Sequence, residues 1–320
     1  MIEATNVQPS GNWQQPVLEK LLLETLNEQK RKRRWGIFFK LIYLFIIIIF
    51  FCLLFNYNKL SSSALGKPHT ALVNIKGEIF SGANASADNI VTGLTKAFKD
   101  SNTRGVILRI NSPGGSPVQA SYVFNEIMRL KAKYPKIKVY AVCSDVCASA
   151  AYYIASAADN IYADPASLVG SIGVLMDGFG FVDTLQKLGV ERRLITAGSE
   201  KGFLDPFSPM SPQDHSYAQT MLNTVHQQFI AAVKRGRGSR LKNSPELFSG
   251  LAWTGEQALQ LGLIDGYGSA GYVAREIIKN TNVVDYTKKS GLFSNLGKQM
   301  GTAFYHHFAE QMGFEGIKLR

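Results

Sequence analysis

Residues 145–153 read DVCASAAYY and follow the apolar run KIKVYAV (136–142). The stretch sets one hydroxyl, that of Ser149, among small residues with two tyrosines behind it. Such a serine suits either of two ends. It packs in an alanine-rich buried helix, or it is a nucleophile where a strand turns into a helix. A serine hydroxyl attacks a carbonyl only if a base takes its proton and donors hold the charge that develops on the oxygen. Those two requirements pick out the other residues of interest.

A source of donors is RINSPGGSP (109–117), at the end of the run GVILRI (105–110). Pro113, Gly114 and Gly115 fix a tight turn and permit positive φ. Such a turn can aim backbone N–H groups at an oxyanion. It leads into a helix from Pro117, whose N-terminal dipole adds positive potential. The same residues also make an ordinary Pro-Gly turn. They are not a phosphate loop, because the GxxxxGK[ST] spacing is absent.

The base is less obvious. His69 lies in a polar linker, His215 and His226 lie along one long surface-patterned helix, and His306 and His307 lie in the tail. None sits in a glycine-bounded loop. A Ser–His–Asp set stays open, because triads assemble from distant positions. Lys201, in TAGSEKGFLDPFSPMS (196–211), is the other candidate. A lysine becomes a base when an apolar environment lowers its pKa, and Phe203, Leu204 and Phe207 are apolar neighbours in sequence. A solvated surface charge is the alternative.

These residues need elements to hold them. A strand at 71–79, a helix at 87–99, a strand at 105–110, a helix at 118–134 stopped by Pro135, a strand at 136–142 and a helix at 147–159 alternate along the chain. Short strands are expected in NIYAD (160–164), SIGVL (171–175) and ERRLIT (191–196). Helices are expected at 212–235 and 255–262. Alternation of this kind makes an α/β domain with a largely parallel sheet, and sites form outside the carboxyl ends of such strands. Cys143 and Cys147 have no metal-ligand spacing and read as buried free thiols. His306 and His307 are adjacent and point to different faces of any helix, so no metal is expected.

The 320 residues carry a net charge of +11 and are 46% apolar. Much of the basic excess is local, in Lys30-Arg31-Lys32-Arg33-Arg34. The run precedes WGIFFKLIYLFIIIIFFCLLF (35–55), which contains a single charge, Lys40. At about 1.5 Å per residue this stretch matches the ~30 Å hydrocarbon core. It reads as a transmembrane helix rather than a cleaved leader. The positive flank places residues 1–34 in the cytoplasm and the rest outside. The sequence thus divides into a cytoplasmic segment (1–34) with an amphipathic helix, a span (35–55), a linker (56–69), a catalytic domain (70–285) and a tail (286–320). Nucleic acid is not an expected partner, since the basic run serves the membrane.

Four stretches together, LRINSPGGSP, CASAAYYIASAADNIYADPASLVGSIGV, TAGSEKGFLDPFSP and GLAWTGEQALQLGLIDGYGS, resemble the signal peptide peptidase A family of Ser–Lys proteases, over about residues 70–280. The segment before them is similar to the short, single-span members. The resemblance implies a fold like the caseinolytic protease and crotonase group, with repeated β–β–α units and a homo-oligomer. It implies Ser149 as nucleophile and Lys201 as general base, which in this family can come from adjacent subunits. Gly115, with Gly114 beside it, and Ala150 would supply oxyanion donors, and Ser171 would orient the lysine. Many members have Ser-Gly-Gly-Tyr where this chain has Ser149-Ala150-Ala151-Tyr152, so Ala150 must donate without a glycine's freedom. No cofactor is implied. The expected substrates are remnant signal peptides and other hydrophobic peptides at the outer, periplasmic face of a bacterial inner membrane. The alternatives are a related peptidase acting on other membrane or capsid proteins, a crotonase-like acyl-CoA enzyme, and a non-enzymatic scaffold.

Overall fold

The computed structural model describes residues 14–62 and 66–288, and within the first stretch the side chains of residues 19, 20 and 22–50. The chain divides into two units between Ser63 and Ala64. The first is a single helix, α1 (Gln14–Ser62). It carries both the amphipathic stretch and the apolar run without a break, and it takes in residues 56–62, expected as linker. The reason is local: after Gly36 no glycine or proline occurs until Gly66 and Pro68, and these are the residues that stop helices. Trp35, Phe39, Tyr43 and Phe45 are exposed. Among the described residues no helix is long and apolar enough to cross a membrane. The side chains of 51–55, the end of the expected span, lie outside the described residues, as does the tail from residue 289.

The second unit runs β1 (His69–Lys76), α2 (Ala87–Lys99), β2 (Thr103–Ser112), α3 (Pro117–Lys133), β3 (Lys138–Ala148), α4 (Ala150–Ala155), β4 (Asn160–Ala163), β5 (Leu168–Gly170), α5 (Val182–Lys187), α6 (Pro212–Arg237), β6 (Ala252–Thr254), α7 (Gly255–Gln260), β7 (Gly266–Tyr267), α8 (Ala270–Tyr272, continued as a π turn to Ile277) and β8 (Val283–Asp285). The sheet order is β6-β5-β3-β2-β1-β8, with β4 on β3 and β7 on β4. Every pairing is parallel except β5 with β6.

The strands alternate with period two, and this decides the layers. Val73, Ile75, Val106, Leu108, Ile110, Val139 and Ala141 enter the main core with α2, α3, α4 and α6. Leu72, Ile107 and Val142 point the other way and are covered by Val273 and Ala274 of the π turn. Both faces of the parallel sheet are therefore shielded. Helix ends follow their sequences. Ser116 caps α3 by accepting from Gln119 N, with Pro117 in the first turn. Ser211 and Asp214 form a capping box on α6, which stops at Gly238.

The expected repeat of β–β–α units is visible in the pairing. After β1, Ile79 bridges Gly115, which itself follows β2. β3 pairs β4 through Tyr140–Cys143 and then β5 through Val146–Ala148. At this change of partner β3 bulges, so that Ile110 and Ser112 of β2 face Cys143 and Cys147. Each long strand is thus followed by a short extended piece before its helix. Asn111 fills the bulge, accepting from Val146 N and donating to Asp145. The two cysteines are free and buried. Burial, then the Cys143 thiol beside it, pushes the Cys147 thiol well above its ordinary value.

Three expectations are corrected. His69 is not in a linker. It starts β1, is fully buried, and its ring nitrogens hydrogen-bond the Lys67 carbonyl and the Tyr286 hydroxyl at 2.9 Å each. The strands expected at 171–175 and 191–196 do not form. Residues 191–196 face solvent, and at 171–175 Ile172 is buried without a strand pairing; β-branched content alone does not make a strand without a partner. The helix expected at 147–159 shortens to α4, because β3 extends through Ala148.

Candidate active site

Ser149 sits between the end of β3 and the start of α4, with φ 54° and ψ −125°. A non-glycine residue at positive φ is unusual and costs free energy. The geometry is that of a nucleophile elbow, a sharp strand-to-helix turn that presents the side chain. The turn is pinned on both sides. Ser149 N donates to the Gly170 carbonyl at 2.8 Å, and its own carbonyl accepts from Tyr153 N at 3.0 Å. The hydroxyl makes no capping bond to α4. Helix α4 is buried throughout: the Tyr152 hydroxyl donates to Leu263 O at 2.7 Å and the Tyr153 ring stacks on Phe229 at 4.9 Å. Ser149 itself is half-buried. Within the DVCASAAYY stretch the alanines and tyrosines of α4 pack, while Ser149 is held out of the packing.

The glycine turn lies against this elbow. Gly114 has φ 108°, and a Cβ built there would stand 2.7 Å from the Ser149 Cβ and 3.0 Å from Ala150 N. Gly115 has φ 142°, and its Cβ would meet the Ile79 carbonyl oxygen at 2.4 Å. Both positions require glycine, for space as well as for φ. The two are not equivalent as donors. Gly114 N–H is taken by the buried Ser112 hydroxyl at 3.1 Å. The bridge to Ile79 uses the Gly114 carbonyl and Ser116 N–H, which leaves the Gly115 N–H outside the ladder. The Ala150 N–H is in the first turn of α4, where a helix has no acceptor of its own. Positive φ falls on Ser149 rather than on Ala150, so an alanine at 150 costs the backbone nothing. Gly115 and Ala150 thus present backbone N–H groups beside the elbow, with Gly114 providing close approach.

Ser171 follows β5 with φ 50°. Its N–H donates to Leu251 O at 2.9 Å, and its carbonyl accepts from Gly173 N at 3.0 Å. The connection to the elbow runs through Gly170. Lys201 is placed differently. It lies in an exposed turn, with its N–H donating to Gly198 O. Among the described residues no hydrogen bond joins its ammonium to the Ser149 hydroxyl. The surrounding segment from 174 to 210 exposes several large apolar side chains, with Leu175, Phe179 and Ile195 exposed by 82%, 81% and 94%. A cavity of about 640 Å³ lies within it, lined by Met176, Phe179, Leu204, Met210 and the first turns of α6. The sequence does not place two residues near the elbow and the β5 exit, where the structure puts them. Ser112 is one, signalled only by its place before Pro-Gly-Gly. His226 of α6 is the other, with its Nε2 on the Ile172 carbonyl at 3.1 Å.

The Clp protease profile matches residues 70–167, in keeping with the mixed α/β fold described above. The profile of peptidase family S49 matches residues 131–284. A putative protease of Methanocaldococcus jannaschii is 31% identical over 221 residues, which is 65% of this chain and 70% of that protein. A putative signal peptide peptidase SppA of Enterococcus faecium is 28% identical over 212 residues, 66% of this chain and 61% of that one. The chain also aligns at 45% identity over 202 residues with a Brucella melitensis protein named Na(+)/H(+) antiporter NhaA, covering 62% of this chain and 27% of that protein. This chain thus spans about a quarter of that much longer relative. The chain belongs to peptidase family S49, the signal peptide peptidase A family. That membership leaves the acyl-CoA alternative without support.

Proposed function

We propose that the protein is a serine endopeptidase with a Ser149–Lys201 dyad. The observation that carries this reading is Ser149 on a strained elbow, with the Gly114–Gly115 turn packed against it. Ser149 Oγ attacks the peptide carbonyl while its proton passes to a neutral Lys201 amine. The N–H groups of Gly115 and Ala150 hold the oxyanion. As the C–N bond breaks, Lys201 returns the proton to the leaving amine. Water then hydrolyses the acyl-serine ester, with Lys201 again taking the proton.

The lysine comes from a second copy of the chain. Its exposed turn and the uncovered apolar segment 174–210 support this, because exposed apolar surface of that extent usually meets a partner. Ser171, fixed after β5, receives the incoming ammonium. The apolar part of α1 anchors the enzyme in a bacterial inner membrane, with residues 1–34 cytoplasmic and the catalytic unit periplasmic. The substrates are hydrophobic peptides, remnant signal peptides foremost, that reach that face of the bilayer.

The test is hydrolysis of a labelled signal peptide by detergent-solubilised protein. Ser149→Ala and Lys201→Ala are each expected to be inactive while remaining folded and assembled. Mixing the two variants during assembly is expected to restore part of the activity, because some sites then pair an intact serine with an intact lysine. Full activity of Lys201→Ala would overturn the base assignment. Two inactive variants that never complement would place both residues in one chain.

A further inference from the structure

We infer that His226 is a positioning residue for the site, acting through the segment that follows β5. The inference rests on the reading of Ser149 and Ser171 as site residues.

His226 lies in the middle of α6 and is half-buried. Its Nε2 stands 3.1 Å from the Ile172 carbonyl oxygen. A carbonyl only accepts, so Nε2 carries the hydrogen. Ile172 is fully buried and follows Ser171, which is held at φ 50°. A residue in that conformation persists only when its surroundings over-determine it. Three contacts do so here. Ser171 N–H is fixed to Leu251 O, Gly173 packs so closely on Gly250 that a Cβ would stand 2.8 Å from its Cα, and His226 ties down the Ile172 carbonyl. The last is the one tether among them that a side chain supplies.

The same face of α6 also reaches the other side of the elbow. Phe229, three residues on from His226, stacks on Tyr153, and Tyr153 N closes the first turn of α4 on the Ser149 carbonyl. Residues three apart share a helix face. One face of α6 therefore braces both the helix that Ser149 starts and the β5 exit to which Ser149 N–H is bonded. Loss of the imidazole frees the Ile172 carbonyl, lets the Ser171 turn relax, and loosens the Gly170 carbonyl that pins the nucleophile. His226 does not line the cavity beside the site, so the effect is expected on the chemical step and not on binding.

The experiment compares His226→Leu, which fills space without a donor, with His226→Gln, which retains an N–H donor. Two readouts are taken on the full-length, assembled protein. The first is hydrolysis of a labelled apolar peptide. Leucine is expected to lower kcat about tenfold or more with KM little changed, and glutamine to restore most of it. The second is amide hydrogen exchange at Ser149, Ser171 and Gly173, expected to quicken in the leucine variant and to return towards wild type with glutamine. The exchange readout does not depend on catalysis. If wild type proves inert, the peptidase reading fails, and protection at these amides still decides the bracing role. Wild-type exchange in the leucine variant overturns the inference. So does faster exchange with an unchanged kcat, or a glutamine variant as impaired as leucine.

Discussion

Gly114 lies so close to Ser149 that a methyl group on it would stand 2.7 Å from the serine Cβ and 2.9 Å from the Ala148 carbonyl oxygen. The glycine turn and the elbow are therefore one unit built from the ends of β2 and β3. Parallel pairing of those strands brings their carboxyl ends to the same edge, and the bulge at Cys143–Cys147 bends β3 towards β5 at that edge. Gly114→Ala adds a clash to a φ that alanine rarely adopts. It is expected to cost about 1–3 kcal/mol of stability and to lower kcat at least a hundredfold, roughly the effect of losing one oxyanion donor. Denaturant unfolding and peptide hydrolysis on the same preparation check both. A variant with normal kcat would show that the turn is not part of the oxyanion site.

Ser112 sets the same turn from below. Its hydroxyl is fully buried and accepts the Gly114 N–H. Ser112→Ala leaves that donor buried and unpaired, at a cost of about 1–3 kcal/mol. The turn then swings to satisfy it, and Gly115 moves with it. The expected result is a fall in kcat larger than any change in KM, measured with a labelled peptide.

Arg237 and Asp265 tie α6 to the segment before β7. The guanidinium is buried, donates to both Asp265 oxygens at 2.7 and 2.9 Å, and donates twice to Gly262 O. Burial alone would raise the Asp265 carboxyl, but the Arg237 bonds and charge outweigh it and hold the group below the ordinary 3.8. A folded-state pKa below the unfolded one stabilises above the unfolded value. That contribution is lost as pH falls through the folded value. Wild type should therefore lose Tm steeply below about pH 4. Arg237→Met should be less stable by about 3–5 kcal/mol at neutral pH, and its Tm should fall less steeply in acid. Parallel acid slopes for the two proteins would refute the pairing as the cause.

Much of this was legible in the sequence, for reasons that differ by element. β1, β2 and the first half of β3 are short apolar runs bounded by breakers, and α2, α3 and α6 carry helical spacing, the last two with Ser-Pro starts. Such local signals survive without tertiary knowledge. Ser149 was legible only in company, because alanine-rich packing and an elbow use the same residues, and the φ that separates them is held by the Gly170 carbonyl at the end of β5, a partner distant in sequence. His69 reads as linker from its position near Gly66 and Pro68, yet Tyr286, far off in sequence, buries it. The runs at 171–175 and 191–196 have strand composition but no neighbour to pair with. His226 looks like any polar residue on a long helix until the exit of β5 arrives beside it.

The backbone of Ser149 has a further consequence, for evolution in the test tube. Glycine alone adopts φ 54°, ψ −125° without penalty. Ser149→Gly is therefore expected to melt at a higher temperature than the native protein, where Ser149→Ala is not, and differential scanning calorimetry of the three compares them directly. Selection of this protein for heat resistance alone would reward loss of its nucleophile. Only a screen that also demands hydrolysis would keep the serine in place.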